Sequence, residues 1–159
     1  STAALGDGTL QMQVRDGLTA LAFLRNNAKT HAGPVIVSGC GLGGIVAAHV
    51  AAIDRKVGGV VIWDSLRAFE DLLWAEDSLW SPEAFMPGVL ERYDIPELLA
   101  SVSCPVHWIN PLDAMKERFD DAELKGLAEA IGNEARVSNG DEEMIEQTLQ
   151  DLLDAADRE

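Results

Sequence analysis

Histidine and cysteine are scarce in this chain, and basic residues are few. No histidine follows His107 in the 159 residues, and the only cysteines are Cys40 and Cys104. Two cysteines without a CxxC pair do not indicate a zinc site, and no metal is expected. Cys40 falls just after one expected strand and Cys104 just before another. In a parallel sheet those are opposite edges, whereas a disulfide needs Cα atoms within ~7 Å. Both are therefore expected as free thiols. Twelve lysines and arginines face 27 acidic residues, a net charge of −15. That balance repels nucleic acid, and no basic stripe offsets it. It reads as a solvated acidic surface, densest in Asp120–Glu123 and Asp141–Glu146. No apolar run approaches the ~20 residues of a membrane span. The opening STAALGDGTL does not read as a signal peptide, so a soluble protein is expected, of unspecified compartment.

The hydrophobic content is 47 % and there is no low-complexity run, so one domain with a real core is expected over residues 1–159. The most informative stretch is Pro34–Asp64, PVIVSGCGLGGIVAAHVAAIDRKVGGVVIWD. It reads as strand, glycine-rich turn, helix and strand. Such turns face ligands, because helix-start amides collect there and glycine lets a reactant approach the backbone. Two readings are open. As Gly39-x-Gly41-x-x-Gly44, with Asp64 at the end of the next strand, it matches a dinucleotide fingerprint. As Gly39-Cys40-Gly41-Leu42-Gly43 it matches the nucleophile elbow G-x-S-x-G, with glycine in place of serine.

Around this stretch, Val14–Asn26 reads as an amphipathic helix, Pro34–Ser38 as a buried strand, and Leu42–Ile53 as a helix with His49 on its apolar face. Chain breaks are expected at Ala32-Gly33 and Gly132-Asn133. Val57–Trp63 and Val106–Asn110 read as strands, separated by a long aromatic excursion that ends in a short helix at Ile95–Val102. Ala122–Ile131 is helical, Ala135–Ser138 is a fourth strand, and a last helix starts at Asp141 with Ile145, Leu149, Leu152, Leu153 and Ala156 on one face. The alternation predicts an α/β fold: a mainly parallel sheet flanked by helices. A dinucleotide-binding domain normally opens with its fingerprint strand, but here a helix comes first. The ~40 residues between the second and third strands are also long for a plain βαβ unit.

The chain resembles the C-terminal half of an α/β-hydrolase, closest to acetyl-xylan-esterase-like and prolyl-oligopeptidase-like members. The resemblance rests on Val14-Arg15-Asp16 with LTALAFL, on SGCGLGG, on PEAFMPGVLERYDIPELLA and on PVHWINPLDAM. It runs over roughly residues 10–155 and implies a domain without the family's N-terminal strands, with no cofactor. It places the nucleophile at Gly41, which has no side chain, and the acid at Asp113. The base position, where the family reads like G-H-E, falls on Asp141 of Gly140-Asp141-Glu142. One triad member of three is thus kept, implying a degenerate hydrolase-like module that serves in binding or assembly. An esterase completed by another chain, and a dinucleotide-binding domain using Gly39, Gly41, Gly44 and Asp64, are the alternatives.

Cys40 is the remaining nucleophile to weigh. A thiol at a helix N-terminus is a good nucleophile, but Cys40 lies one residue before the elbow tip, and no histidine follows His107. A small residue in a tight turn is the plainer reading. Asp113 reads either as a vestigial acid or as a cap after Pro111, and Asp64 as a turn residue. The aromatics of Trp63–Tyr93 read as packing or, by the resemblance, as a lid. In the family the elbow strand lies mid-sheet, so Pro34–Ser38 should here form an uncharged edge, which pairs readily. It is expected to be covered by a second copy, by another polypeptide, or by Thr9–Gln13 folding back as a strand.

Overall fold

The computed structural model of the chain describes residues 8–27, 33–86, 88–132 and 134–158. Ala32 and Asn133, two of the expected break residues, lie outside these. Four strands, β1 (Val35–Cys40), β2 (Val57–Trp63), β3 (Val106–Ile109) and β4 (Arg136–Ser138), pair in parallel in the order β1-β2-β3-β4. Six helices accompany them: α1 (Thr9–Asn26), α2 (Leu42–Ile53), α3 (Phe69–Trp74), α4 (Ile95–Ala100), α5 (Asp121–Ile131) and α6 (Glu142–Asp157). Helix α2 lies on β1 and β2, flanked by α1 and α4, and α5 continues the row over β4. Helix α6 packs from the opposite face, where Leu152 approaches Gly59 of β2. The core sits under the α2 side, around Val60, Ile62, Val106 and Trp108, all at most 1 % exposed.

Helix α1 begins five residues earlier than the sequence reading placed it. Gln11 accepts the Gly8 amide at 2.6 Å, and Leu10 joins Val14 and Leu21 on the buried face. Thr9–Gln13 is therefore helix, and the expectation that it folds back as an edge strand is overturned. The first strand is also shifted, from Pro34–Ser38 to Val35–Cys40. Pro34 has no amide to donate, whereas Gly39 and Cys40 pair with Ile62 and Trp63. Among the described residues β1 pairs with β2 alone and so stands at the edge of the sheet. The apolar face of α6 meets the sheet only in part: no α6 residue is fully buried, and Leu153 remains 49 % exposed. His49 is a satisfied core residue. Its Nδ1 donates to the Ile45 carbonyl, Nε2 accepts from the Tyr93 hydroxyl, each at 2.8 Å, and burial pushes its pKa down.

The aromatic excursion is fastened by one carboxylate. Asp94 is 9 % exposed and accepts the amides of Phe69 (2.6 Å), Glu70 (3.0 Å) and Ile95 (2.7 Å). It thus closes the N-termini of α3 and α4 together, and Glu97 returns a bond to the Asp94 amide. Asp94→Ala should cost roughly 3 kcal/mol, because three donors lose their acceptor at once. Asp94→Asn, which keeps one oxygen, should cost less. Urea unfolding of the two variants checks the order.

Turn geometry separates the glycines of the first βα connection. A Cβ on Gly39 would stand 2.1 Å from the Gly43 carbonyl, and one on Gly44 would stand 1.9 Å from Ser65 Oγ. A Cβ on Gly43 meets nothing within 4 Å. Gly39→Ala and Gly44→Ala should therefore each destabilise by about 1–3 kcal/mol through overpacking. Gly43→Ala should be neutral or stabilising by up to ~1 kcal/mol, since alanine is the better helix former. Equal losses at all three positions in denaturant titrations would contradict this.

Candidate functional site

Two of the expected site residues, Gly41 and Asp64, lie at the C-terminal edge of the sheet in a row of bonds linking the strand ends; the carboxylates of Asp113 and Asp141 bond to amides of their own segments. Strand β1 ends at Gly41, whose amide donates to the Trp63 carbonyl at 3.0 Å. Ser65 Oγ returns a bond to the Gly41 carbonyl at 3.0 Å. Strand β2 ends at Asp64, whose amide donates to the Ile109 carbonyl at 3.0 Å. Strand β3 ends at Asn110, whose amide donates to the Ser138 carbonyl at 2.8 Å. The Asn110 side chain is only 2 % exposed and completes the row. Its Nδ2 donates to Asp64 Oδ1 (3.0 Å) and to the Gly140 carbonyl (2.9 Å), while its Oδ1 accepts the Gly140 amide (2.9 Å).

Gly41 is the tip of a sharp strand-to-helix turn. Its backbone lies at φ 57°, ψ −124°, a conformation that strains any residue with a side chain. Glycine stands at the tip, the position that the resemblance gives to a nucleophile. The space at the tip is open: the nearest neighbour to an added Cβ is the Asp64 carbonyl at 3.9 Å. The adjoining Cys40 is exposed. Partial burial of its sulfur, and secondarily the Asp64 carboxylate, push the thiol pKa up from its ordinary value, against a hydrogen bond at Trp63. The helix start thus does not activate this thiol.

Asp113 and Asp141, which the resemblance places at the acid and base positions, hold carboxylates engaged with backbone. Asp113 Oδ1 accepts the amides of Met115 (2.8 Å) and Glu117 (2.9 Å), closing the loop after β3. The Asp113 carbonyl also accepts from Trp80 Nε1 at 2.8 Å. Asp141 is the N-cap of α6, accepting the Met144 amide at 2.9 Å. A carboxylate there has no proton-bearing ring to offer a nucleophile. Asp64, the expected ribose ligand of the dinucleotide reading, has one carboxylate oxygen taken up by Asn110.

Strand order also bears on the dinucleotide reading. Such ligands bind where the strand order reverses. Among the described strands the order advances one way, without a reversal. Nor do three His, Cys, Asp or Glu side chains converge among the described residues in a way that would hold a metal. Two clefts lie away from the elbow. One of about 710 Å³ is lined by Arg67, Trp74, Tyr93, Glu97 and Glu123; the other, of about 920 Å³, runs along β4 between α5 and α6. Neither is lined by Gly41, Asp113 or Asp141.

Asn110 and Ser65 were not singled out from sequence. Asn110 carried a mixed signal: asparagine tolerates left-handed backbone, whereas the proline after it favours extended backbone. Ser65 had none, because its role depends on the approach of α2 to β2.

No family model and no curated protein matches the chain. Solved structures do. The acylaminoacyl peptidase of Pyrococcus horikoshii superposes with a TM-score of 0.59 at 13 % identity, over 84 % of this chain and 23 % of that one. A puromycin-hydrolyzing peptidase of Mycobacterium tuberculosis superposes with a TM-score of 0.59 at 13 % identity, over 88 % of this chain and 23 % of that one. The chain therefore spans under a quarter of the length of these structures. Similarity at this identity is similarity of fold, and it agrees with the strand-elbow-helix geometry: the chain has the fold of part of an α/β-hydrolase.

Proposed function

We propose that this chain is a non-catalytic α/β-hydrolase-fold module that serves in binding or assembly. The observation carrying the reading is the tip of the elbow, where the strained backbone is kept at a residue with no side chain. Asp113 and Asp141 support it, since each carboxylate is occupied in holding backbone amides. Acyl transfer needs a nucleophile with a base in hydrogen-bond reach, and these positions supply neither. The two matched structures are peptidases by name; that activity is not carried over to this chain. An esterase completed by another chain would have to take both nucleophile and base from its partner. The open space above Gly41 is the one feature that favours it.

The purified chain should show no turnover of p-nitrophenyl acetate and no covalent labelling by a fluorophosphonate. Stoichiometric labelling mapped to Ser38 or Ser65 would overturn the reading. Gly41→Ser should fold, yet gain no turnover, because no histidine stands at Asp141. Cys40 should alkylate more slowly than an unstructured cysteine peptide at pH 7.5, and its rate should still be rising at pH 9. A raised thiol pKa leaves less thiolate at neutral pH and moves its appearance to higher pH. A rate plateau below pH 7, followed by iodoacetamide kinetics, would instead mark an activated thiol.

A further inference from the structure

Asn139 and Gly140 lie between β4 and α6, at the end of the row of bonds that links the strand ends. Asparagine is a thermolabile residue, and a following glycine makes it more so, because glycine puts no side chain in the way of its own amide nitrogen. In an open chain that nitrogen attacks the asparagine side-chain carbonyl. The bond from Gly140 N to Asn139 Cγ forms and the Cγ–Nδ2 bond breaks. Nδ2 leaves as ammonia, taking up the proton that the Gly140 amide gives up. Water then opens the five-membered imide at either carbonyl and leaves aspartate or isoaspartate at position 139. Asn139 is the one asparagine of the chain that a glycine follows.

Each part of this step meets an obstacle in the folded chain. The Gly140 amide donates to Asn110 Oδ1 at 2.9 Å, and Asn110 is 2 % exposed. The proton that must leave is thus held by a weakly basic oxygen out of reach of solvent base. Met144 lies across the same glycine, since a Cβ there would stand 2.2 Å from its Sδ. The leaving group is also held. Asn139 Nδ2 donates to the Phe119 carbonyl at 2.9 Å, an acceptor with no proton to give departing ammonia. Asn139 Oδ1 is buried and meets no donor among the described residues. The negative charge that gathers on it during the attack would go unstabilised.

We infer that Asn139–Gly140 is a deamidation site kept silent by its bonds to Asn110 and Phe119, and that modification there unfastens β4 and α6. Exposure of the site needs less than global unfolding. Strand β4 has three residues and α6 has no fully buried residue. Segments of that kind open locally, below the free energy of the whole fold. Asn139 also lines the cleft along β4, so a small displacement admits water. Once modified, the segment cannot close as before. An aspartate carboxylate at position 139 would face the Phe119 carbonyl, acceptor against acceptor, in place of the Nδ2 bond. Isoaspartate adds a methylene to the main chain and carries Gly140 off Asn110, whose buried Oδ1 then loses its donor.

The test incubates the whole chain at pH 7.4 and 37 °C beside a synthetic peptide of residues 136–142, and follows position 139 by mass spectrometry. The folded chain should deamidate at least about tenfold more slowly than the peptide. Asn110→Ala, with its fold checked by circular dichroism, should raise the chain's rate at least about fivefold. Should that variant not fold, low urea decides instead: the rate in the unaltered chain should rise in step with amide exchange at Gly140. Modified chain, once separated, should exchange its α6 amides at least about tenfold faster, with those of α2 unchanged. Equal rates in chain and peptide would overturn the proposal, as would an unchanged rate in folded Asn110→Ala. A rate that does not follow Gly140 exchange, or a modified chain whose α6 amides stay protected, would overturn it as well.

Discussion

The lateral tie between strand ends is the constraint on which the site and its surroundings depend. Three consecutive strands end on a residue of positive φ: Gly41 at 57°, Asp64 at 50° and Asn110 at 54°. Left-handed backbone costs about 1–2 kcal/mol for an ordinary residue and less for asparagine or aspartate. Each of these residues donates its amide to the next strand along, and Asn110 adds three side-chain bonds while almost fully buried. At roughly 1 kcal/mol net per hydrogen bond, the bonds offset the backbone cost. The result is a rigid rim from which α2, the Ser65–Phe69 segment, the Asp113 loop and α6 all depart.

That rim separates architecture from chemistry. The approach of α2 to β1 and β2 needs Gly39 and Gly44, because carbonyl and hydroxyl atoms occupy the space their side chains would take. It needs nothing at position 41 except a residue able to hold φ 57°, ψ −124°. Glycine holds that conformation with the least strain. Glycine at this position thus relieves the turn while every bond of the rim stays in place. A fold whose geometry does not depend on a side chain at the elbow leaves function to the surfaces built on it.

Much of the fold was legible because the strands are apolar throughout and the helices have clear faces. The sequence VGGVVIW announces a buried strand, and the alternation of strands and helices announces a parallel sheet. The errors came where a local signal was weak. Thr9–Gln13 alternates polar and apolar residues as a strand would, but burial of Leu10 with Val14 and Leu21 carries the helix through them. The elbow motif was readable, yet which glycines it needs was not: Gly43 lies open and Gly44 abuts Ser65, a contact set by tertiary packing. The same holds for Asp94, an ordinary acidic residue in the sequence that becomes the joint of two helices only when Phe69 and Ile95 arrive beside it.

The acidity of the chain has a structural component, which includes the position where the resemblance places a histidine. Asp94, Asp120 and Asp141 are the N-caps of α4, α5 and α6. Glu97 and Glu123 complete capping boxes at the first two. An aspartate cap is worth about 1 kcal/mol, and its charge faces the positive end of the helix dipole. Part of the −15 therefore stabilises helices rather than merely coating the surface. Asp141 stands where the resemblance places a histidine, a residue type outside the preferred caps. With no side chain at Gly41 to deprotonate, a histidine there would have no proton to move, whereas an aspartate secures the first turn of a helix that no fully buried residue anchors. Aspartate at this position caps the helix, a role that needs no side chain at the elbow.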